Sequence, residues 1–185
     1  IQSAYDWADI EAEALDAGVD AFIGKPLFKS RLVRVLKEAL EPNQEEKISA
    51  LETFSQQDFT GRRVLLVEDN EINIEVAKEL LGMVGIQVEM AVNGKLAVEA
   101  VQEKEPGYFD LIFMDIQMPV MNGYEAAEAI RALEREDLKK IPIVAMTADA
   151  FADDIKRAKD AGMNDHISKP VDIERLEEAL KRWVV

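Results

Sequence analysis

The sequence predicts a doubly wound α/β domain built on a five-stranded parallel sheet, and three observations carry that prediction. From Arg62 onward, short apolar runs alternate with longer amphipathic stretches, five of each in about 120 residues. Most of the short runs show no polar alternation, as strands do when helices cover both faces of a sheet. The connections are short, and right-handed crossovers then leave little choice of topology.

Each element follows from its own pattern. "RVLLV", Arg63 to Val67, is a continuous apolar run that ends against Glu68 and Asp69. Beyond it Ile72, Val76, Leu80 and Val84 recur every four residues with Ala77 and Leu81 beside them, one face of a helix. "IQVEMAV", Ile86 to Val92, is the second strand, and Gly94 to Glu105 a helix stopped by Pro106-Gly107. "DLIFMD", Asp110 to Asp115, is a strand without a polar face, followed by a helix from Tyr124 to about Glu134. "PIVAMT", Pro142 to Thr147, is the fourth strand. The helix after it, Asp149 to Ala161, meets Gly162, a glycine suited to the left-handed C′ position. A short strand around His166 and Ile167 and a helix from about Ile173 to Trp183 complete the series.

The chain also contains a copy of part of itself. "SAYDWADIEAEALDAGVDAFIGKP", from Ser3, and "TADAFADDIKRAKDAGMNDHISKP", from Thr147, agree without a gap at ten of 24 positions. The offset of 144 residues carries on to about Leu40, with Arg31, Leu32, Leu36 and Lys37 repeated as Arg175, Leu176, Leu180 and Lys181. Residues 1–41 therefore read as helix, strand, helix, the last third of the same design. Residues 42–61 are polar and aperiodic apart from a possible short helix around Ile48 to Phe54, and read as a linker. Residues 62–185 read as the complete domain.

Composition narrows the function. A formal net charge of −15 argues against a nucleic-acid surface and suits a protein that holds a cation or docks on a basic partner. The absence of cysteine removes disulfides and thiolate metal sites. No run approaches the ~18 apolar residues of a membrane span and no cleavable signal is visible, so no membrane contact and a cytoplasmic location are expected.

In an open parallel sheet, ligands sit outside the carboxyl ends of the strands. The polar residues there are Glu68-Asp69, Asp115, Thr147 and Lys169. Three acids crowded together repel unless a cation lies between them, and oxygen ligands without thiolates point to Mg²⁺ or a similar hard ion. A carboxylate beside such an ion can take a phosphoryl group as an acyl phosphate. The transferred group spreads negative charge over three oxygens, which a metal, the Lys169 ammonium and the Thr147 hydroxyl could share. Each residue also has a plain reading. Glu68 and Asp69 suit a helix start through its dipole, Thr147 and Asp149 suit N-caps, and the methionines 114, 118, 121 and 146 suit packing. The convergence of all the polar exceptions on one sheet edge favours a site.

The motifs "LLVEDNEIN" (Leu65 to Asn73), "IFMDIQMPVMNGYE" (Ile112 to Glu125), "IPIVAMTADA" (Ile141 to Ala150) and "GMNDHISKP" (Gly162 to Pro170) make the chain resemble the response-regulator receiver family. The likeness covers about Arg62 to Trp183 and is strongest to receivers attached to hybrid histidine kinases. It implies a flavodoxin-like sheet of order 2-1-3-4-5, with Asp115 as phosphoacceptor. It implies that Glu68, Asp69, Asp115 and the main-chain carbonyl of Gln117 hold Mg²⁺, and that Thr147 and Lys169 bind the phosphoryl group. Lys169-Pro170 falls where the family has a cis peptide, which aims the lysine inward. Gln117 and Asp149 fall at positions that tune the lifetime of the acyl phosphate. His166 stands where the family often has Tyr or Phe, a departure that bears on the usual aromatic switch, though an imidazole is also flat and could rotate. The implied partners are a histidine kinase or histidine-phosphotransfer domain, and a second copy through the last helix–strand–helix face.

By the same resemblance, residues 1–41 are the end of a preceding receiver, inert alone because its acids lie elsewhere. The expected role is a signalling phosphoacceptor rather than an enzyme turning over a small molecule. The alternatives are a receiver fold used as a scaffold without phosphorylation, and a hydrolase of the haloacid-dehalogenase type. The hydrolase would want an acid two residues after Asp115, where Gln117 stands.

Overall fold

The computed structural model describes residues 2–3, 23–24, 54, 56–148, 152–171 and 173–184. The chain divides into two compact units, Ile1–Ser49 and Ala50–Val185. In the first, strands β1 (Gln2–Ser3) and β2 (Ile23–Gly24) pair in parallel, Gln2 opposite Ile23 and Ser3 opposite Gly24. The two-residue strand β1 stands before the first helix expected there. The two helices expected there lie outside the described residues.

The second unit holds β3 (Arg63–Val67), α1 (Glu71–Met83), β4 (Gln87–Ala91), α2 (Gly94–Glu103), β5 (Leu111–Asp115) and α3 (Gly123–Ala132). It continues with α4 (Glu136–Lys140), β6 (Ile143–Thr147), α5 (Ala152–Asp160), β7 (Asp165–Ser168) and α6 (Ile173–Trp183). Its five strands are all parallel in the order β4-β3-β5-β6-β7, which is the expected 2-1-3-4-5 counted within the domain.

The unbroken apolar runs have the physical cause anticipated for them: alternate residues feed two separate cores. Leu65, Val67, Ile112, Met114, Ile143 and Ala145 pack with α2, α3 and α5. Val64, Leu66, Phe113, Val144, Met146 and Ile167 pack with α1 and α6. Both sets are almost wholly buried, at roughly 1.5–3 kcal/mol for each large side chain withdrawn from water.

Helix starts are fixed by asparagines. Asn70, Asn93 and Asn122 cap α1, α2 and α3, each accepting a main-chain N–H from the first turn. Asn122 and Glu125 complete a reciprocal capping box. Gly162, just beyond α5, has φ +90, so the expected left-handed glycine is present.

Two boundaries differ from the sequence reading. The helix from Tyr124 ends at Ala132 rather than about Glu134, and a separate short helix, α4, follows it. The stretch read as a linker reaches into the domain: Phe54 is fully buried against the α1–α6 face, and Phe59 N–H donates to the Val84 carbonyl at 2.8 Å. Of the short helix expected around Ile48 to Phe54, only Phe54 lies within the described residues, in a helical conformation.

Candidate functional site

Four strands deliver the site from one edge. β3 ends into Glu68 and Asp69, β5 ends on Asp115, β6 on Thr147, and β7 on Ser168 just before Lys169. Carboxylate oxygens of Glu68, Asp69 and Asp115 lie within 4.8 Å of one another. The ammonium of Lys169 reaches between two of them, 2.6 Å from Glu68 Oε2 and 2.7 Å from Asp115 Oδ2. The Lys169–Pro170 bond is cis, as the resemblance implies.

The two buried acids are held differently from the exposed one. Glu68 is 2% exposed, and its Oε1 accepts from the Asn70 N–H at 3.3 Å and from Asn73 Nδ2 at 3.0 Å. Asp115 is 3% exposed, and its Oδ1 accepts from the Gln117 N–H at 3.1 Å. Asp69 is exposed. Both oxygens of Glu68 and of Asp115 are therefore engaged, while Asp69 faces solvent.

Burial disfavours the charged form of Asp115, and the neighbouring Glu68 adds to that, so its carboxyl is held above the usual aspartate range despite Lys169. Burial also works against the Lys169 ammonium, but its hydrogen bonds to Asp115 and Glu68 prevail and hold its pKa above the ordinary lysine value. The lysine is thus a committed cation. A hard divalent ion fits the remaining acid excess, since all three carboxylates offer oxygen at mutually close range.

The structure brings together Glu68, Asp69, Asp115 and Lys169. Thr147 stands in the same edge, paired in register with Ser168, and its carbonyl accepts the Lys169 N–H at 2.7 Å. Gln117 is exposed in the loop after β5. His166 is half-buried on β7, its Nδ1 4.0 Å from Asp165 Oδ1, and it lines a small hollow with Thr147, Ile116, Tyr124, Asp154 and Ile155. Asp149 lies outside the described residues.

Three site features were not read from the sequence. Asn73 anchors Glu68 from one turn into α1, and its place five residues after Glu68 was the available signal. Gly123 lets the start of α3 press on β5. A Cβ there would stand 2.2 Å from the Asp115 carbonyl oxygen. Val120, in the loop after Asp115, holds left-handed backbone (φ 70) and is 79% exposed, an uncommon conformation for a β-branched residue.

A parallel sheet in this order, with an acid–lysine cluster at its carboxyl edge, defines the receiver class of signalling domains. Residues 64–181 match the response regulator receiver domain, and the chain belongs to that family. It is 34% identical over 197 residues to Histidine kinase 3 of Arabidopsis thaliana, covering 93% of this chain and 19% of that protein. Among solved structures it resembles the receiver domain of sensor histidine kinase PA1611 from Pseudomonas aeruginosa PAO1, which has a magnesium ion coordinated in its active site cleft. The identity there is 37% and the TM-score 0.61, over 68% of this chain and 98% of that one. It also resembles a chain in the co-crystal structure of the Saccharomyces cerevisiae histidine phosphotransfer signaling protein Ypd1 with the receiver domain of its downstream response regulator Ssk1. That match is 36% identical with a TM-score of 0.62, over 69% of this chain and 91% of that one. The chain spans only 5% to 20% of the length of the curated relatives it matches. Among the described residues, no helix is long and apolar enough to cross a membrane.

Proposed function

We propose that the domain accepts a phosphoryl group on Asp115 from a phosphohistidine of a kinase or histidine-phosphotransfer domain, and so relays or switches a signal. The observation that carries the reading is the buried Asp115 carboxylate, with the Lys169 ammonium at 2.7 Å and two further acids within 4.8 Å. Asp115 Oδ2, once Lys169 releases it, attacks phosphorus, an O–P bond forms, the P–N bond breaks, and its electron pair returns to the donor imidazole. Mg²⁺, held by Glu68, Asp69, Asp115 and the Gln117 carbonyl, would supply charge neutralisation of the transferring oxygens. Lys169 moves its charge from the Asp115 carboxylate to a phosphoryl oxygen, and the Thr147 hydroxyl donates to another. Displacement at Thr147 then reaches the hollow it shares with His166. Gln117 and Asp149 set the access of water to the acyl phosphate.

A protein donor fits the surface as well as the chemistry. Ile72 at the start of α1 and Val120 beyond β5 expose apolar side chains at the same sheet edge, 74% and 79% accessible. The Ypd1–Ssk1 pairing of a similar receiver supports a histidine-phosphotransfer partner. A relative named as a hybrid signal transduction histidine kinase supports a hybrid kinase as parent; a cytoplasmic location and a role without small-molecule turnover are part of the same reading. Residues 1–41 are the end of a preceding receiver. Self-association through α5, β7 and α6 is the remaining partner the family likeness implies, and light scattering with and without phosphorylation would read it.

The test is intact mass after incubation with acetyl phosphate, with and without Mg²⁺, on wild type and Asp115→Ala. The expected result is one phosphate gained, only with Mg²⁺ and only with Asp115. No gain in wild type, with no beryllofluoride binding either, would move the scaffold reading to the front.

A further inference from the structure

The chain has one histidine, and it stands between two hollows. His166 lies on β7 opposite Ala145 of β6, with 34% of its side chain exposed. On its inner side is the hollow it shares with Thr147, Tyr124 and Asp154, where the small side chains of Ala145 and Ala158 leave space. That hollow measures about 10 Å³, room for one water at most and not for a ring. On its outer side is a hollow of about 250 Å³, whose other charged residues are Lys159, Asp165 and Arg182.

The charges around the imidazole are unevenly placed. From β7 comes Asp165, whose Oδ1 already accepts the His166 main-chain N–H at 2.9 Å. Its Oδ2 accepts from Arg182 at 2.7 Å and from Trp183 Nε1 at 3.1 Å. Arg182 of α6 and Lys159 of α5 both line the outer hollow. On the inner side α5 supplies half-buried Asp154, α3 supplies Tyr124, and β6 brings only Ala145 and Thr147. Arg157, also of α5, lies over the Tyr124 ring, 4.3 Å from its centroid, and is not on the hollow's wall. A protonated imidazole thus meets two cations and an occupied acid outside, and a carboxylate inside.

We infer that His166 is a proton-binding site coupled to Asp115. When the Thr147 hydroxyl is drawn to a phosphoryl group, the hollow enlarges and the imidazole enters it as imidazolium, facing Asp154, with its proton taken from solvent. The inference rests on the proposed role of Thr147. A Phe ring could make the same movement but would carry no proton, so it is the histidine that makes the phosphorylated state respond to acid. Histidine is the side chain that changes charge between about pH 5 and about pH 8. The coupling is reciprocal: a phosphorylated state that binds the proton more tightly is itself held more tightly in acid. That gain is complete at the acid end of this range and is lost as pH rises through the titration of the phosphorylated state.

The experiment follows the imidazole Cε1–H resonance of the tag-free protein by proton NMR between about pH 5.5 and about pH 8.5. One histidine gives one resonance to assign. Spectra are taken in Mg²⁺ with and without beryllofluoride, a phosphoryl mimic whose binding is read separately by ¹⁹F NMR. The expected result is a titration midpoint higher by about half a pH unit or more when beryllofluoride is bound. By linkage this is a roughly threefold gain in beryllofluoride affinity from the alkaline to the acid end. His166→Phe should lose that share of the pH dependence, and Asp154→Asn should bring the two midpoints together. A midpoint that stays or falls with beryllofluoride bound would overturn the inference, as would a rise that survives Asp154→Asn. If ¹⁹F spectra show no bound beryllofluoride in wild type, the acceptor reading fails and takes this inference with it.

Discussion

Gly123→Ala and Gly82→Ala are the same chemical change, and the structure gives them opposite signs. Gly82 lies near the end of α1, and a Cβ there meets nothing within 4 Å. Helix propensity then acts alone, and the alanine stabilises by about 0.5–1 kcal/mol. Gly123 opens α3, where propensity would also favour alanine. Its added Cβ, however, would stand 2.2 Å from the Asp115 carbonyl oxygen and 3.0 Å from the Ile116 Cα, both main-chain atoms. Ordinary contact begins near 3.4 Å, so β5 and α3 must part by about 1 Å. Overpacking of that kind costs about 1–3 kcal/mol, which exceeds the propensity gain and leaves a net loss of about 2 kcal/mol. Urea unfolding of both variants beside wild type reads the two signs directly. The strand that must move carries Asp115, the proposed acceptor, and a misplacement of about 1 Å costs on the order of a hundredfold in rate. Phosphate uptake from acetyl phosphate should therefore fall in Gly123→Ala and hold in Gly82→Ala. A Gly123→Ala protein as stable as wild type would refute the claim that close approach fixes this glycine.

Arg131 donates to the Gly162, Leu138 and Ile141 carbonyls and to Asn164 Oδ1, tying α3 to α4, β6 and the end of α5. Arg131→Met removes the donor to those carbonyls and should cost about 3 kcal/mol in chemical denaturation. Asp137 accepts from Arg135, which lowers its pKa from 3.8 to about 2, helped by the Gly107 N–H. Because the folded value is depressed, the stabilisation is present above about pH 4 and is lost as pH falls through about 2. Asp137→Asn should cost about 1 kcal/mol at pH 7, allowing for solvent screening, and the gap to wild type should close between pH 4 and pH 2. Lys169→Met strands two buried carboxylates and should cost about 3 kcal/mol at pH 7 in chelator. Added Mg²⁺ should restore much of that in a thermal melt, and an unchanged melt in chelator would contradict the ion pairs seen here.

Strands β3, β5 and β6 were legible because each run serves two cores at once and cannot afford a polar side, a pattern that survives in one dimension. The cluster was legible for a related reason, since its acids and lysine interrupt apolar runs at their carboxyl ends. What stayed hidden depends on partners distant in sequence. α4, "EDLKK", has no apolar stripe; it is fixed by buried Leu138 and by Arg135, which donates to the Val101 and Lys104 carbonyls of α2. Only its acidic start and basic end, favourable to the helix dipole, marked it in the sequence. Phe54 lies in a polar stretch whose one sign of order was a possible short helix, and nothing local says that its ring packs against the α1–α6 face. The contrast between Glu68 and Asp69 was equally invisible, because adjacent acids look alike until Asn73 and Lys169 are placed around one of them.

That contrast bears on why the site uses lysine. Glu68, Asp69, Asp115 and Lys169 together carry a formal charge of −2, which a single divalent cation would balance. An incoming phosphoryl dianion then needs positive charge that is already present but not locked. Lys169 provides it because Glu68 and Asp115 share one ammonium, so release from Asp115 leaves the Glu68 contact at 2.6 Å in place. The lysine is never left unpaired in a setting where a charge pair 4 Å apart is worth roughly 4 kcal/mol. In the proposed transfer the same release would uncover Asp115 Oδ2 as the nucleophile while Oδ1 keeps the Gln117 N–H. Arginine would form a two-point fork with a carboxylate and hold it, so a compact, rotating charge is what the transfer step requires. Glu68, fixed by Asn70 and Asn73, is the post on which that charge pivots.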